Sequence, residues 1–357
     1  SCSRSWASTS ASETHGDVTS GVHVANCVAP TRQVGAQRDS LCDIRFVGGA
    51  ELLAFSAARG VYCPCCGSTD GHRRAKGMRN VSTSQIAWLV AELCLRASFE
   101  LPEDVFQALQ RAAQREKSPR GRWVLEAVVR NAELASRERL PICQDTGLVV
   151  CFIRLGRDVH LDGDLQEAVD AGVRKACLEA PLRHSVLADP LDRSSNTGDN
   201  TPAILHLDLV EGDHIEVEVL PKGGGSENCS AAWMLTPGEG EDGIVERIVE
   251  QIRAVGGKWC PPGVVGVGVG GTLEHAALLA KCALARPVGW RHPQVRWANL
   301  EERLLEAVNA TGVGPLGLGG KVTALDVHVE HYPCHLASLP VAVNLQCHAA
   351  RRAAGAI

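Results

Sequence analysis

At Ser82 the chain changes character, and that change limits what can fold. Ser82-Thr83-Ser84-Gln85 reads as a capping box, in which Ser and Gln satisfy each other's free backbone donors. Ile86, Leu89, Val90, Leu93 and Ala97 then fall on one helical face. Residues 1–77 hold Ser/Thr clusters, scattered Gly and Cys, and no sustained period beyond a short apolar run from Leu52 to Ala58. The first Met is Met78. Residues 1–77 are therefore expected to be a disordered, non-native upstream extension, and 78–357 the folded domain. The preference for Arg over Lys fits a GC-rich genome, where upstream reading frames stay open. Arg73-Arg74 fits a purine-rich ribosome-binding site ahead of Met78. A rival reading makes a zinc module of Cys63, Cys65, Cys66 and His72, but the Cys-x2-Cys spacing and a second ligand pair are missing.

Periodicity predicts helices over 83–98, 103–116 and 120–138, a strand over 148–155 and a helix over 164–178. Two strands, 204–210 and 214–220, are expected to pair through a turn at Glu211-Gly212-Asp213. A helix follows over 242–255. A strand over 264–269 then runs through Gly270-Gly271-Thr272 into a helix ending near 286. A helix over 299–309 and strands over 325–331 and 340–345 complete the pattern. The fold class is mixed α/β (α+β), with N-terminal helices followed by mixed sheet units flanked by helices.

Composition narrows the function. At 45% hydrophobic and 22% charged residues the chain can build a core and is not a disordered type. A net charge of -5 argues against a nucleic-acid binder, which needs basic excess to neutralise phosphates. No apolar run approaches the ~18 residues of a spanning helix, and no secretory signal opens the chain. A cytoplasmic protein is expected. In a reducing compartment its 15 cysteines serve as core residues, metal ligands or nucleophiles.

Several polar segments interrupt the pattern. Pro141-Ile142-Cys143-Gln144-Asp145-Thr146-Gly147 sets a thiol beside an amide and a carboxylate, which suits a metal ligand next to an acid/base group or an ordinary turn with a buried Cys. Arg193 to Pro202 is dense in turn formers. Lys222-Gly223-Gly224-Gly225-Ser226-Glu227-Asn228 lets backbone N–H groups converge on an anion, but lacks the Gly-Lys-Ser/Thr ending of a nucleotide P-loop. Gly312 to Lys321 is a second glycine-rich run, leading to His331-Tyr332-Pro333-Cys334-His335 and to Cys347-His348. Gly266, Gly268 and Gly271 match Gly-x-Gly-x-x-Gly, so a nucleotide-binding oxidoreductase stays open. The match is weak without a full βαβ unit and a ribose-binding acid.

Taken together, these segments resemble a family. Cys-Gln-Asp-Thr-Gly, Asn-Thr-Gly-Asp-Asn-Thr-Pro, Lys-Gly-Gly-Gly-Ser-Glu-Asn, Cys260-Pro261-Pro262, Gly270-Gly271-Thr272 and Leu339-Pro340-Val341-Ala342-Val343 stand here in one order. Over 78–357 the chain resembles the α subunit of two-subunit class I fumarate hydratases and the related L(+)-tartrate dehydratases. The resemblance implies the fold of a class I fumarase N-terminal domain and a [4Fe–4S] hydro-lyase. Its cluster ligands map to Cys143, Cys260 and Cys347, with Cys334 the rival for the third place. Cys94, Cys151, Cys177 and Cys282 sit on apolar faces and read as core, and Cys229 stands near the ligands at most. The resemblance also implies Asp145 as acid/base group, His335 as an active-site histidine, and substrate contacts from Gln144, Arg183, Lys222 and Gly224 or its neighbour Gly225. A small dicarboxylate is the implied substrate: malate and fumarate first, L(+)-tartrate as the alternative. A non-catalytic iron–sulfur or iron-sensing protein is the remoter reading. In single-chain relatives a second domain completes the site, so a β subunit and an α2β2 assembly are implied here.

Overall fold

Ser82 caps the first helix as its sequence predicts. Its side chain accepts from the Ser84 N–H, and the Ser82 N–H donates to Gln85 Oε1 at 3.1 Å. The computed structural model describes residues 78–357, and the expectations for 1–77, including Cys63 to His72, lie outside the described residues. The chain runs through β1 (Arg79–Val81), α1 (Thr83–Phe99), α2 (Glu103–Arg115), α3 (Pro119–Glu138), β2 (Leu148–Gly156), β3 (Val159–Leu161) and α4 (Leu165–Glu179). It continues through β4 (Ile204–Val210), β5 (Ile215–Lys222), α5 (Gly224–Glu227), β6 (Ala231–Leu235), α6 (Gly240–Val255) and β7 (Gly263–Gly270). The last elements are α7 (Leu273–Ala283), α8 (Val295–Ala310), β8 (Ala324–Tyr332), β9 (Leu339–Gln346) and β10 (Ala353–Ala356).

The strands form two four-stranded sheets, ordered β10-β5-β2-β4 and β6-β9-β7-β8, and a small β1-β3 pair. Alternation along β5 puts Ile215, Val217 and Val219 under α1 and α4, against Ile86, Val90, Leu93, Val169 and Val173. The opposite face, with Val150 and Leu220, packs on Val105, Leu109, Val124 and Leu125 of α2 and α3. In the second sheet Val265, Val267, Val327 and Val343 meet Ile248, Ile252, Leu300 and Leu304 of α6 and α8.

Two sequence expectations change here. Residues 204–210 and 214–220 are strands, but they do not pair with each other. β2 lies between them, parallel to β4 and antiparallel to β5. The turn at 211–213 instead closes over the end of β2, where Asp158 N–H donates to Gly212 O at 3.0 Å. The long apolar run of β2 takes the buried centre, and a short turn says nothing about what lies between two strands. The nucleotide reading also falls. Gly266 and Gly268 sit within β7, where an added Cβ would stand 2.2 Å from Ala280 O and 2.0 Å from Ala276 O. These glycines let α7 lie on the strand, and they cradle no phosphate.

The second glycine-rich run is a structural strap. Glu116 is buried, and its carboxylate accepts the N–H groups of Ser118 at 2.8 Å, Lys321 at 2.8 Å and Val322 at 3.1 Å. Burial works to raise this carboxyl's pKa, and the backbone donors overcome it and hold it below the usual range. The strap then meets the Cys260 loop, where Leu316 N–H donates to Pro261 O at 2.7 Å. No described helix is long and apolar enough to cross a membrane.

Two stability predictions follow from this packing. Gly268→Ala is expected to cost about 3 kcal/mol in urea unfolding, because α7 must shift. The exposed Gly238, with nothing within 4 Å of its Cβ position, should accept Ala at little cost. Glu116→Gln is expected to cost about 2 kcal/mol at neutral pH. A folded pKa held below the unfolded one stabilises above the unfolded value and loses that contribution as pH falls through the folded value. The gap between wild type and Glu116→Gln should therefore close in acid, as read by urea titrations at several pH values.

Candidate active site

The segment before β2 lies against the segment after β5. A Cβ on Gly147, at φ 80°, would stand 2.6 Å from Lys222 O, so glycine permits this contact. Asp145 spans the two segments. Its Oδ1 accepts the Gly147 N–H at 3.0 Å and its Oδ2 accepts the Gly224 N–H at 2.8 Å. The Gly224 donor, read from sequence as a substrate contact, is thus turned on Asp145 and orients its carboxylate.

The segments before β7 and after β9 meet in the same way. A Cβ on Gly263 would stand 1.8 Å from Gln346 O. Cys260 adopts a left-handed backbone, φ 56° and ψ 59°. Its N–H donates to Gly257 O at 3.0 Å, and its carbonyl accepts the His348 N–H at 3.2 Å. The Nδ1 of His348 lies 3.1 Å from the same oxygen. Cys347 and Cys260 are therefore carried by two segments bonded to each other.

Cys143 shares their neighbourhood. Burial pushes the Cys260 and Cys347 thiols up, and the adjacent Cys143 adds to the rise at both. At Cys347 the Arg351 guanidinium opposes that rise. Cys94, Cys151, Cys177 and Cys229 are buried, and Cys282 is half-buried.

Arg183 and Gln144 are exposed. The Arg183 carbonyl accepts from Thr146 Oγ1 and from Asn200 Nδ2 at 2.9 Å, while Asn200 Oδ1 accepts the Ser185 N–H at 2.6 Å. The turn-rich segment thus ties the Arg183 loop to the segment that carries Asp145. Lys222 departs from expectation. It is buried, and its ammonium contacts Ser226 Oγ at 2.7 Å and Glu227 Oε2 at 3.2 Å. Burial pulls it down to about 8, against the pull of Glu227. Strand alternation turned this side chain inward, where it holds α5 and with it the Gly223–Gly225 turn.

His335 is not in this group within the chain. β7 begins at Gly263, beside Cys347, and ends at Gly270, paired with Tyr332. At ~3.3 Å per residue its length keeps the two ends more than 20 Å apart. His335 and Cys334 follow Tyr332 and are exposed, and Gly271 N–H donates to Pro333 O at 3.2 Å. Cys334 therefore cannot join Cys260 within one chain. Order along the sequence concealed which end of the sheet each segment occupies.

Arg351 was not anticipated. It is 1% exposed, and its Nε and Nη1 have no hydrogen-bond partner among the described residues. A cation buried in this way calls for a facing anion. Three thiols beside such a cation suit an anionic cluster. Among the described residues, no group of three or more His, Cys, Asp or Glu is placed to hold a metal ion.

Known proteins are similar to most of the described chain. Residues 88–356 match the fumarate hydratase (Fumerase) family. A protein of Methanocaldococcus jannaschii named "Putative L(+)-tartrate dehydratase subunit alpha" is 44% identical over 275 residues, covering 75% of this chain and 96% of that protein. The L(+)-tartrate dehydratase subunit alpha of Escherichia coli O157:H7 is 34% identical over 273 residues, covering 76% and 90%. The counterpart from Escherichia coli strain K12 gives the same identity and coverage.

The Asn200 bridge yields a test. Asn200→Ala removes a buried amide and leaves the Arg183 carbonyl and the Ser185 N–H without it. A cost of about 2 kcal/mol is expected in urea unfolding. In the assembled enzyme KM should rise more than kcat falls, because a loosened loop weakens binding first.

Proposed function

The chain belongs to the fumarate hydratase (Fumerase) family, and from that premise we propose that it is the α subunit of an iron–sulfur hydro-lyase interconverting L-malate and fumarate. What carries this reading is the meeting of Cys143, Cys260 and Cys347 beside a buried, unpartnered Arg351 and an oriented Asp145. Cys143, Cys260 and Cys347 would hold a [4Fe–4S] cluster, which would supply Lewis acidity toward carboxylate and hydroxyl oxygens. Asp145, oriented by Gly147 and Gly224, takes the proton from the carbon bearing the other carboxylate, hydroxide leaves from the neighbouring carbon, and the proton passed on to that hydroxide makes the product water. Arg183, which is exposed, offers a guanidinium that fits a carboxylate with two parallel hydrogen bonds. Gln144 supplies an amide beside it. Lys222 positions the Gly223–Gly225 turn through Ser226 and Glu227.

The relatives' names favour a second reading, the conversion of L(+)-tartrate to oxaloacetate. The residue roles are the same in both, and the choice falls to groups that read the additional hydroxyl. "Subunit alpha" in those names implies a partner. We assign it as a β subunit that completes the site in an α2β2 assembly. The working domain is 78–357, in the cytoplasm, where free thiols persist.

The test is anaerobic turnover of the chain co-expressed with its β subunit, offered malate and L(+)-tartrate in parallel. Fumarate from malate is the expected result, and preference for tartrate would shift the assignment to the second reading. Asp145→Asn is expected to lower kcat by about 10²–10⁴-fold with iron and sulfide content unchanged. The chain without its partner should hold the cluster and remain inactive. A loaded pair with no turnover would make this a non-catalytic iron–sulfur protein, and a pair without iron and sulfide would overturn the reading.

A further inference from the structure

Arg351 follows Cys347 closely and has no role in the chemistry above. Its position is unusual for a cation. It is 1% exposed, makes no ion pair within 4 Å among the described residues, and has both Nε and Nη1 unpartnered. A buried guanidinium without partners is strongly destabilising, and an anion facing it would offset that cost. Its surroundings say which face that anion occupies. Arg351 follows Cys347 by four residues, and Ala349 between them packs with Cys347 and with Ile142, the neighbour of Cys143. Its Nη2 stands 3.8 Å from the Cβ position of Gly223, and Asp145 Oδ2 stands 3.2 Å from that position. Asp145 does not pair with it: the carboxylate is turned on the Gly147 and Gly224 N–H groups, and no hydrogen bond from Nε or Nη1 reaches it.

We propose that Arg351 is a non-ligating part of the cluster site, whose Nε–H and Nη1–H donate to anionic sulfur on the Cys347 side. The proposal rests on the iron–sulfur reading above. Two consequences follow. Donors to sulfur, with a positive charge behind them, favour the reduced and more negative state, so Arg351 holds the reduction potential up. They also neutralise charge in a buried place, so Arg351 slows loss of the cluster. Lys cannot substitute fully, since it keeps the charge but loses the planar fork.

The experiment uses the assembled α and β subunits, prepared without oxygen, as wild type, Arg351→Lys and Arg351→Gln. Iron and sulfide content, circular dichroism, cluster reduction potential by EPR-monitored titration, bleaching rate in air and KM for malate are measured on each. Arg351→Lys is expected to keep its fold and its KM, to show a lower potential and to bleach faster. Arg351→Gln should show a larger shift in the same direction. A folded variant that fails to retain iron and sulfide also supports the proposal. An unchanged potential with a raised KM would overturn it and make Arg351 a substrate residue. An unchanged potential, bleaching rate and KM would overturn it too, as would loss of fold in both variants, since Arg351 would then serve packing alone. Absence of iron and sulfide from the wild type would sink the cluster reading itself, a result distinct from all of these.

Discussion

The site depends on backbones that touch without side chains between them. At Gly263 the carbonyl of Gln346 occupies the place of a Cβ, and at Gly147 the carbonyl of Lys222 comes nearly as close. The first contact brings the Cys260 loop against Cys347, and the second brings Asp145 against the turn after β5. Neither sheet alone could gather three thiols and a carboxylate. Each supplies one strand beginning and one strand ending, so the site is a product of the two registers.

The elements were legible where periodicity and termination signals agree. The Ser82 capping box, the apolar run of β2 and the alternation of β5 all appear in the structure. Neighbour relations were not legible. β4 and β5 follow each other closely in sequence, yet β2 separates them, because pairing is decided by which strand tolerates burial on both faces. Gly266 and Gly268 imitated a phosphate-binding pattern while serving the approach of a helix.

The site divides in the same manner. Cys143, Asp145, Cys260 and Cys347 lie in short motifs whose residues imply chemistry locally, and the structure gathers them. His335 and Cys334 lie in a motif just as suggestive but at the far end of β7. Lys222 was expected to contact substrate, and the structure buries it against Ser226. Arg351 carried one overlooked signal: with Arg352 it forms a charged pair flanked by two alanines on either side, just after Cys347. Such a residue is excluded from a core unless something there answers its charge.

Cys260 holds a backbone conformation that side-chain-bearing residues rarely adopt, at a cost of about 1–3 kcal/mol. Its N–H and its carbonyl are both fixed by protein groups, Gly257 and His348, and Glu116 braces the strap beneath the loop. The polypeptide thus holds this thiol in place through bonds that owe nothing to iron. Under the proposed iron–sulfur reading, a chain stripped of its cluster would keep this loop's backbone in place. Its repair would then be a matter of supplying iron, sulfide and electrons to a mould already cast, with no need to fold the protein again.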